Sequence, residues 1–318
     1  MFTVKLKLQQ FISNQRAKRI VESMTSQVRD VSWWGTLSSL IIKFIVLFIF
    51  GLFIIFPFYF MIVYAFASDQ QITDTRVPVY WPDHFNFNNF SRALKQGYLN
   101  ALGWTALITL VSVISKVFFS MTFGYAFSLK KWRFKKLSWV IFLSILVLPE
   151  TALLLGQYRV MVLLQWTTGP QSFLALTAPF VASVFSGFMF RNAFEAIPDR
   201  IKEAAMMDGC SQVRMFFKVA IPMVTPTIWT VGILTAFAAW NSTLWPLLIL
   251  TGNKDIQVLN VWLLDVGTDD AGDEQLGFFK NVRMAGAILA ILPMFIIYFG
   301  FRRRILNAIS RQGSTVKG

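Results

Sequence analysis

The sequence predicts an all-α protein, a polytopic membrane bundle of six transmembrane helices. Hydrophobic residues make up 55% of its 318 residues and charged residues only 14%, whereas a soluble domain has about 25% charged residues. The mean hydropathy of the chain is +0.56. Two further observations support this class: the chain contains six long apolar stretches, and basic residues alternate between the segments that connect them.

Each apolar stretch is close to or above the roughly 20 helical residues that cross a bilayer core of about 30 Å. In chain order they are Leu40–Phe66, Ala101–Leu129, Leu137 to about Gly156, Ser172–Phe190, Met223–Leu250 and Met284–Phe301. Only three charged residues lie within them, Lys43, Lys116 and Glu150. Low charge over such lengths is typical of membrane-spanning helices.

Basic residues give the orientation of these helices. Lys and Arg number 21 in residues 1–39, 130–136, 191–218 and 302–318, against 7 in residues 67–100, 150–171 and 251–283. The positive-inside rule places the first set, with both termini, in the cytoplasm. Two apolar stretches separate successive basic segments, so six crossings satisfy both signals. The net charge of +14 is therefore a topology signal, and nucleic acid is not an expected partner.

Several chemistries lack the residues that they need. The chain has one cysteine, Cys210, and one histidine, His84, too few for a disulfide framework or a Cys/His metal site. It contains no P-loop motif for nucleotide. We therefore predict no catalytic residues, no metal and no cofactor in this chain. If ATP drives its activity, a separate subunit must bind and hydrolyse the nucleotide.

The predicted domains follow from the bounds of the apolar stretches and of the basic segments beside them. Residues 1–39 form a cytoplasmic N-terminal segment, which is either an amphipathic helix on the membrane surface or a solvated, flexible tail. Residues 40–301 form the six-helix membrane domain, and residues 302–318 form a cytoplasmic C-terminal tail.

The cytoplasmic loop at about residues 191–222 is far longer than the 2 to 8 residues that usually join helices. The stretch "AIPDRIKEAAMMDG" predicts a helix with Pro198 at its start, Asp199 in its first turn and Gly209 just past its end. The stretch "SQVRMFFKVAIP" predicts a second helix that runs to Pro222. Two short helices at a membrane surface either dock into a groove on a cytoplasmic partner or form an interfacial hairpin.

The loop resembles the EAA loop of ABC importer permeases, E-A-A-x(3)-G-x(9)-I-x-L-P. Val219 and Ile221 stand where that pattern has Ile and Leu. Further stretches, "LVLPETALLLGQYRV", "AAWNSTLWPLLIL", "MAGAILAILPMFIIYF" and the terminal "GSTVKG", are similar to permease subunits of maltose-type carbohydrate ABC importers. The resemblance implies the type I ABC importer permease fold. It makes the following residues candidates for coupling to the ATPase: Glu203, Ala204, Ala205, Asp208, Gly209 and Pro222.

The resemblance also implies partners. These are a second, homologous permease that completes a heterodimer, two ATP-binding subunits in the cytoplasm, an extracytoplasmic solute-binding protein and the lipid bilayer of the inner membrane. The implied function is import of a sugar or related solute, such as an oligosaccharide, a polyol or a glycerol phosphate. The alternative is a stand-alone secondary transporter or channel, which would need intramembrane carboxylates for a coupling ion, and the predicted spans contain few.

Two residues are candidates for the translocation path, Lys116 and Asn241. Lys116 lies near the middle of the second predicted span, where a charge is costly. Three interpretations of Lys116 are open. Its side chain contacts the solute, it pairs with Glu150 or a backbone carbonyl, or it faces the second permease. Asn241 belongs to a "WN" pair that the resemblance associates with the second permease type of such importers. The resemblance further suggests an ATPase-contacting tail at Gly313, Lys317 and Gly318, and the alternative is a frayed terminus.

Overall fold

The computed structural model describes residues 33–73, 78–129, 132–251, 255–268 and 279–314, and every regular element in these ranges is helical. The α-helices are α1 Trp33–Phe66, α2 Asp69–Thr73, α3 Asn88–Ala93, α4 Leu99–Ser128, α5 Lys135–Ile145, α6 Glu150–Leu163, α7 Ser172–Thr177, α8 Val184–Glu195, α9 Asp199–Met207, α10 Gln212–Met215, α11 Ile221–Met223, α12 Thr225–Trp240, α13 Leu244–Ile249, α14 Leu259–Asp265 and α15 Lys280–Ser314. The predicted all-α class is confirmed for these residues.

Short irregular turns interrupt the α-helices. Residues Phe216–Ala220 are π-helical, and Gly169–Gln171 and Ala178–Phe180 are 3₁₀ turns. Residues Leu94–Tyr98 contain a kink between α3 and α4, where Gly97 has a φ of 89°. The predicted amphipathic N-terminal helix lies outside the described residues.

The chain divides into two compact units, Met1–Tyr59 and Phe60–Gly318. In the first unit the described residues, 33–59, are helical and expose large apolar side chains, among them Leu47 at 71% and Phe53 at 82%. A helix that is apolar on every side is stable in lipid or against other apolar helices, and not in water.

The second unit has α4 at its centre. This helix packs along α8 and α12, and α12 also packs against α15. One apolar cluster joins the ends of α4, α14 and α15 around the fully buried Trp262, and another lies around Trp245 in α13. A third cluster, at the other end of α4, contains Phe190, Phe194 and Phe216.

Helices α4 and α8 touch backbone to backbone at Gly124. A Cβ added there would lie 2.5 Å from Phe190 Cβ, 2.8 Å from Arg191 N and 2.9 Å from Gly187 O. Because two of these atoms belong to the backbone of α8, only glycine fits without moving one of the helices. Small residues allow this kind of close approach in membrane helix pairs.

Three helical segments of the described residues are long and apolar enough to cross a membrane, namely Leu37–Phe66, Asn88–Ser128 and Lys280–Arg302. Two bent pairs of helices raise the number to at most five. They are Gly169–Phe180 with Val184–Glu195, bent by 49°, and Gln212–Met223 with Thr225–Trp240, bent by 73°. Several membrane passages are supported, but the predicted number of six is not confirmed.

The predicted span from Leu137 to about Gly156 is interrupted. Helix α5 ends at Ile145 and α6 begins at Glu150, with Pro149 directly before it. Proline has no N–H for a helical hydrogen bond, and its ring disfavours helical backbone at the preceding residue. The apolar run is continuous in hydropathy, but the helix is not. The last predicted span, Met284–Phe301, is shorter than the helix that contains it, because α15 continues through residue 302 to Ser314.

Candidate functional site

Helix α9 carries the E-A-A sequence, and it begins at the predicted position. Pro198 precedes it with φ −55° and ψ 135°, and Asp199 occupies its first turn. The Asp199 carboxylate is 3.4 Å from Lys202 Nζ. An acidic residue in the first turn is favourable because it faces the positive end of the helix dipole. We call residues 198–223 the EAA segment.

The end of α9 depends on Gly209, which has the left-handed φ of 72°. Gly209 N donates to Met206 O at 3.0 Å, and Cys210 N donates to Ala205 O at 3.0 Å. These are the two hydrogen bonds of a Schellman motif, which glycine favours because it has no Cβ. Asp208, the residue before it, is exposed. These two bonds pair the carbonyls of Ala205 and Met206 in the last turn of α9.

A second helical stretch, Gln212–Met223, begins at a side-chain cap. Ser211 Oγ accepts a hydrogen bond from Arg214 N at 3.4 Å. The stretch contains the π-helical residues Phe216–Ala220 and ends at the bend of 73° before α12.

The bend is stabilised by a hydroxyl group. In a straight helix the carbonyl of Pro222 would accept from the N–H of residue 226, but that residue is Pro226 and has no N–H. Thr225 Oγ donates to Pro222 O instead, at 2.8 Å. The side chain therefore replaces the missing backbone donor.

Phe216 fixes this second stretch to the membrane helices. Its side chain is buried, and its ring centroid lies 4.6 Å from that of Tyr125 in α4 and 6.2 Å from that of Phe194 in α8. Ala220 and Val224, four and eight residues later, are buried in the same cluster. One face of the stretch is thus embedded in the third apolar cluster.

Helix α9 contrasts with it, because none of its residues is buried. Met206 and Met207 are 62% and 88% exposed, and Glu203 and Ala204 are exposed as well. Among the described residues Glu203 forms no ion pair. Flexible apolar side chains beside a carboxylate suit a helix that docks into a groove on another protein.

The structure places Lys116 beside a break in the fourth predicted span. The side chain is half-buried, and Nζ lies 5.4 Å from the centroid of the Phe180 ring, the last residue of a 3₁₀ turn. A cation over an aromatic face is stabilised by the ring quadrupole. The predicted pairing with Glu150 concerns a side chain outside the described part of the structure.

Asn241 lies at the end of α12, where the fifth predicted span stops before α13 resumes it. The side chain is exposed, and its Nδ2 donates to Phe237 O at 3.0 Å. The flanking carbonyls of Trp240 and Ser242 both accept from Asn260 Nδ2 at 3.1 Å. The helix break is therefore held by hydrogen bonds.

Lys116 and Asn241 are near one small cavity, but neither lines it. The cavity is lined in part by Thr105, Phe180 and Trp240, and its volume is about 10 Å³. That is roughly the space of one water molecule, so no sugar fits there in this conformation. In the candidate C-terminal tail, Gly313 belongs to α15, and Lys317 and Gly318 lie outside the described residues.

A buried polar network that was not predicted from the sequence lies at the predicted outer ends of α1, α3 and α15. Asn89 and Asn281 are both fully buried and both donate to Ala67 O, at 2.9 and 3.2 Å. Asn281 also donates to Asp69 Oδ1 at 2.6 Å, and the Asp69 carboxylate pairs with Arg92 at 3.0 Å. The only signal in the sequence was the presence of asparagines beside apolar runs.

Residues 117–311 match the family model described as binding-protein-dependent transport system inner membrane component. The chain belongs to this family. The matched range includes the whole EAA segment and Asn241, and Lys116 is the residue directly before it.

Related proteins of this permease support the family assignment. The chain is 53% identical over 311 residues to a probable ABC transporter permease protein of Mycoplasma pneumoniae, covering 96% of this chain and 97% of the relative. It is 25% identical over 291 residues to the arabinooligosaccharides transport system permease protein AraQ of Halalkalibacterium halodurans, covering 91% and 97%. The resemblance to carbohydrate ABC importer permeases is therefore confirmed.

The fold of this ABC transporter permease also has a counterpart among solved structures. It matches a chain in the crystal structure of a bacterial ABC transporter involved in the import of the acidic polysaccharide alginate, with a TM-score of 0.69. The sequence identity is 21%, and the match covers 86% of this chain and 98% of the other. At this identity the comparison concerns the fold alone.

Proposed function

We propose that this permease forms half of the translocation path of an ATP-driven importer and receives its driving force through the EAA segment. The observation that carries the proposal is the contrast between the two parts of that segment. Helix α9 is wholly unburied, whereas the stretch that follows is anchored by the buried ring of Phe216. One part is free to bind a cytoplasmic protein, and the other part is fixed to the membrane helices.

In this mechanism two ATP-binding subunits close on ATP and displace α9, which docks in a groove on one of them. Met206 and Met207 supply apolar contact, and Glu203 pairs with a basic residue of the ATPase. The displacement reaches α4 and α8 through Phe216, because that ring packs on Tyr125 and Phe194. The path then changes from inward-facing to outward-facing. The chain has no P-loop, so hydrolysis takes place on the separate subunits.

The second permease and the solute-binding protein complete the machine. The family description names binding-protein dependence, and we place that protein on the extracytoplasmic side, opposite the EAA segment and both chain termini. The second permease forms a heterodimer with this chain around one path. Large exposed apolar side chains along the candidate spans, such as Phe53 and Leu234, favour burial in lipid and in such an interface.

The solute is proposed to be a sugar or a related compound, with oligosaccharides, polyols and glycerol phosphate as the candidate classes. A relative that covers 91% of this chain is named for arabinooligosaccharides. Lys116 and Asn241 are the proposed contributors to the path, since Lys116 Nζ lies 5.4 Å from the ring of Phe180, beside one helix break, and Asn241 lies at another. Non-helical backbone at membrane depth usually lines a cavity or is buried in protein.

Uptake by the reconstituted importer tests the coupling role. Glu203→Ala removes the proposed ion pair, and Gly209→Pro is incompatible with the φ of 72° that ends α9. We expect both variants to lose most solute uptake and ATPase co-purification. Asp83→Ala, a change at an exposed carboxylate outside the EAA segment, is the matched control and should behave like the wild type. Full uptake with intact ATPase association in both test variants would refute the coupling role.

The stand-alone transporter is distinguished by a simpler measurement. Liposomes that contain the two permeases alone should show no solute uptake driven by an ion gradient. Uptake should appear only when the ATP-binding subunits, the solute-binding protein and ATP are added. Gradient-driven uptake without an ATPase would favour the alternative.

A further inference from the structure

An apolar groove lies between α4, α12 and α15, apart from the EAA segment and the two candidate path residues. Its volume is about 470 Å³, and all 14 residues that line it are apolar. Gly232 forms part of the wall, and a Cβ added there would approach only Val113 Cγ1, at 3.6 Å. Apart from the indole N–H of Trp229, the lining side chains have no N–H or O–H group for a sugar, whereas a hydrocarbon chain needs none.

The length of the groove corresponds to one leaflet of a bilayer. The lining residues extend from 113 to 121 on α4, from 228 to 237 on α12 and from 294 to 301 on α15. At 1.5 Å per residue these ranges are roughly 11 to 14 Å long. The hydrocarbon core of a bilayer is about 30 Å thick, so the groove covers close to half of it.

The groove is shorter than a transmembrane helix, which is about 30 Å long. Its length of roughly 11 to 14 Å suits a chain that enters only one leaflet.

One end of the groove is positively charged. The ring of Phe301 lines the groove, and the next residue is the exposed Arg302, followed in sequence by two more arginines. Trp229 lies at the same end, with its ring centroid 6.1 Å from that of Phe301. Tryptophan prefers the membrane–water interface, which is the depth at which a phospholipid carries its phosphate.

We propose that this groove binds one acyl chain of an anionic phospholipid, with the lipid phosphate beside Arg302. The hydrophobic effect does not select this site, because lipid tails are as apolar as the groove. Selection comes from the fit of a single chain at Gly232 and from the charge at Arg302. In the proposed orientation this end faces the cytoplasmic leaflet, where anionic lipids attract basic residues.

Native mass spectrometry of the purified importer, stripped of lipid and resupplied with phosphatidylglycerol or phosphatidylcholine, tests the proposal. The wild type should retain phosphatidylglycerol in preference to phosphatidylcholine. Gly232→Leu fills the groove and should abolish this retention. Gly103→Leu is the matched control, because Gly103 in α4 is exposed with no atom within 4 Å of an added Cβ. Arg302→Gln should lower the preference for the anionic lipid about fivefold.

Three outcomes would overturn the lipid site. The wild type retains no phosphatidylglycerol, or Gly232→Leu retains as much as Gly103→Leu, or Gly232→Cys forms a disulfide with a cysteine in a membrane helix of the second permease. Ala236→Leu, which also fills the groove, replaces Gly232→Leu if that variant does not fold. Lipid retention is measured without ATP or solute, so the result is independent of the coupling mechanism.

Discussion

The ring of Phe216 in the EAA segment lies 4.6 Å from the ring of Tyr125 in α4, measured between centroids. The two residues are 91 positions apart in the sequence, and they connect the EAA segment with α4, the central helix of the second unit. Phe194 of α8 contacts both rings, at 5.2 Å from Tyr125 and 6.2 Å from Phe216. The proposed transmission of force from α9 therefore depends on an aromatic contact.

Removal of the Phe216 ring should affect solute uptake and ATP hydrolysis by the importer to different extents. We expect Phe216→Ala to destabilise the permease by about 3 to 5 kcal/mol, the usual cost for a buried phenylalanine. We also expect it to reduce solute uptake more than ATP hydrolysis, because the ATPase would close without moving α4. Phe217→Ala is the control, since its side chain is 59% exposed. Equal effects of the two substitutions on melting temperature and uptake would contradict the role of Phe216.

The bend before α12 offers a test by compensation. Thr225→Val removes the donor to Pro222 O and should cost about 1 kcal/mol. Pro226→Ala restores a backbone N–H for the same carbonyl, so Thr225→Val should cost little in a Pro226→Ala background. Melting temperatures of the two single variants and the double variant measure this. If Thr225→Val destabilises both backgrounds equally, the hydroxyl does not replace the backbone donor.

The buried network around Asn281 should contribute to stability. Asn281→Leu removes the donor to the buried Asn89 Oδ1, which accepts from Asn281 Nδ2 at 3.3 Å, and a buried polar group left unpaired costs about 1 to 3 kcal/mol. Asn88→Leu, at an exposed neighbour of Asn89, should change stability by no more than about 0.5 kcal/mol. Thermal unfolding of the two variants measures the difference. A melting temperature of Asn281→Leu that matches that of Asn88→Leu would contradict the network.

The sequence predicted local features of the EAA segment better than the membrane helices around it. Pro198, Asp199 and Gly209 act on neighbouring residues, so their positions alone gave both ends of α9. Hydropathy alone did not give the break at Pro149, because a proline interrupts the hydrogen bonds of a helix without changing how apolar the stretch is.

The buried network around Asn281 could not be predicted from the sequence for another reason. Asn281 donates to groups on Ala67 and Asn89, which are 214 and 192 residues away. No local pattern marks such a contact. The position of Lys116 beside Phe180 likewise depends on how α4 packs against a broken helix. The only sign of a special environment in the sequence was a charged side chain within a predicted span, where a charge is costly.

The close approach at Gly124 has a consequence for how this protein tolerates mutation. Gly51, Gly103 and Gly156 have no atom within 4 Å of an added Cβ, whereas at Gly124 the nearest atom is 2.5 Å away. A side chain at Gly124 would therefore push two helix backbones apart, whereas the same change at Gly51, Gly103 or Gly156 meets no neighbouring atom. Among sequences that diverge from this one, position 124 should remain glycine long after the open positions have changed.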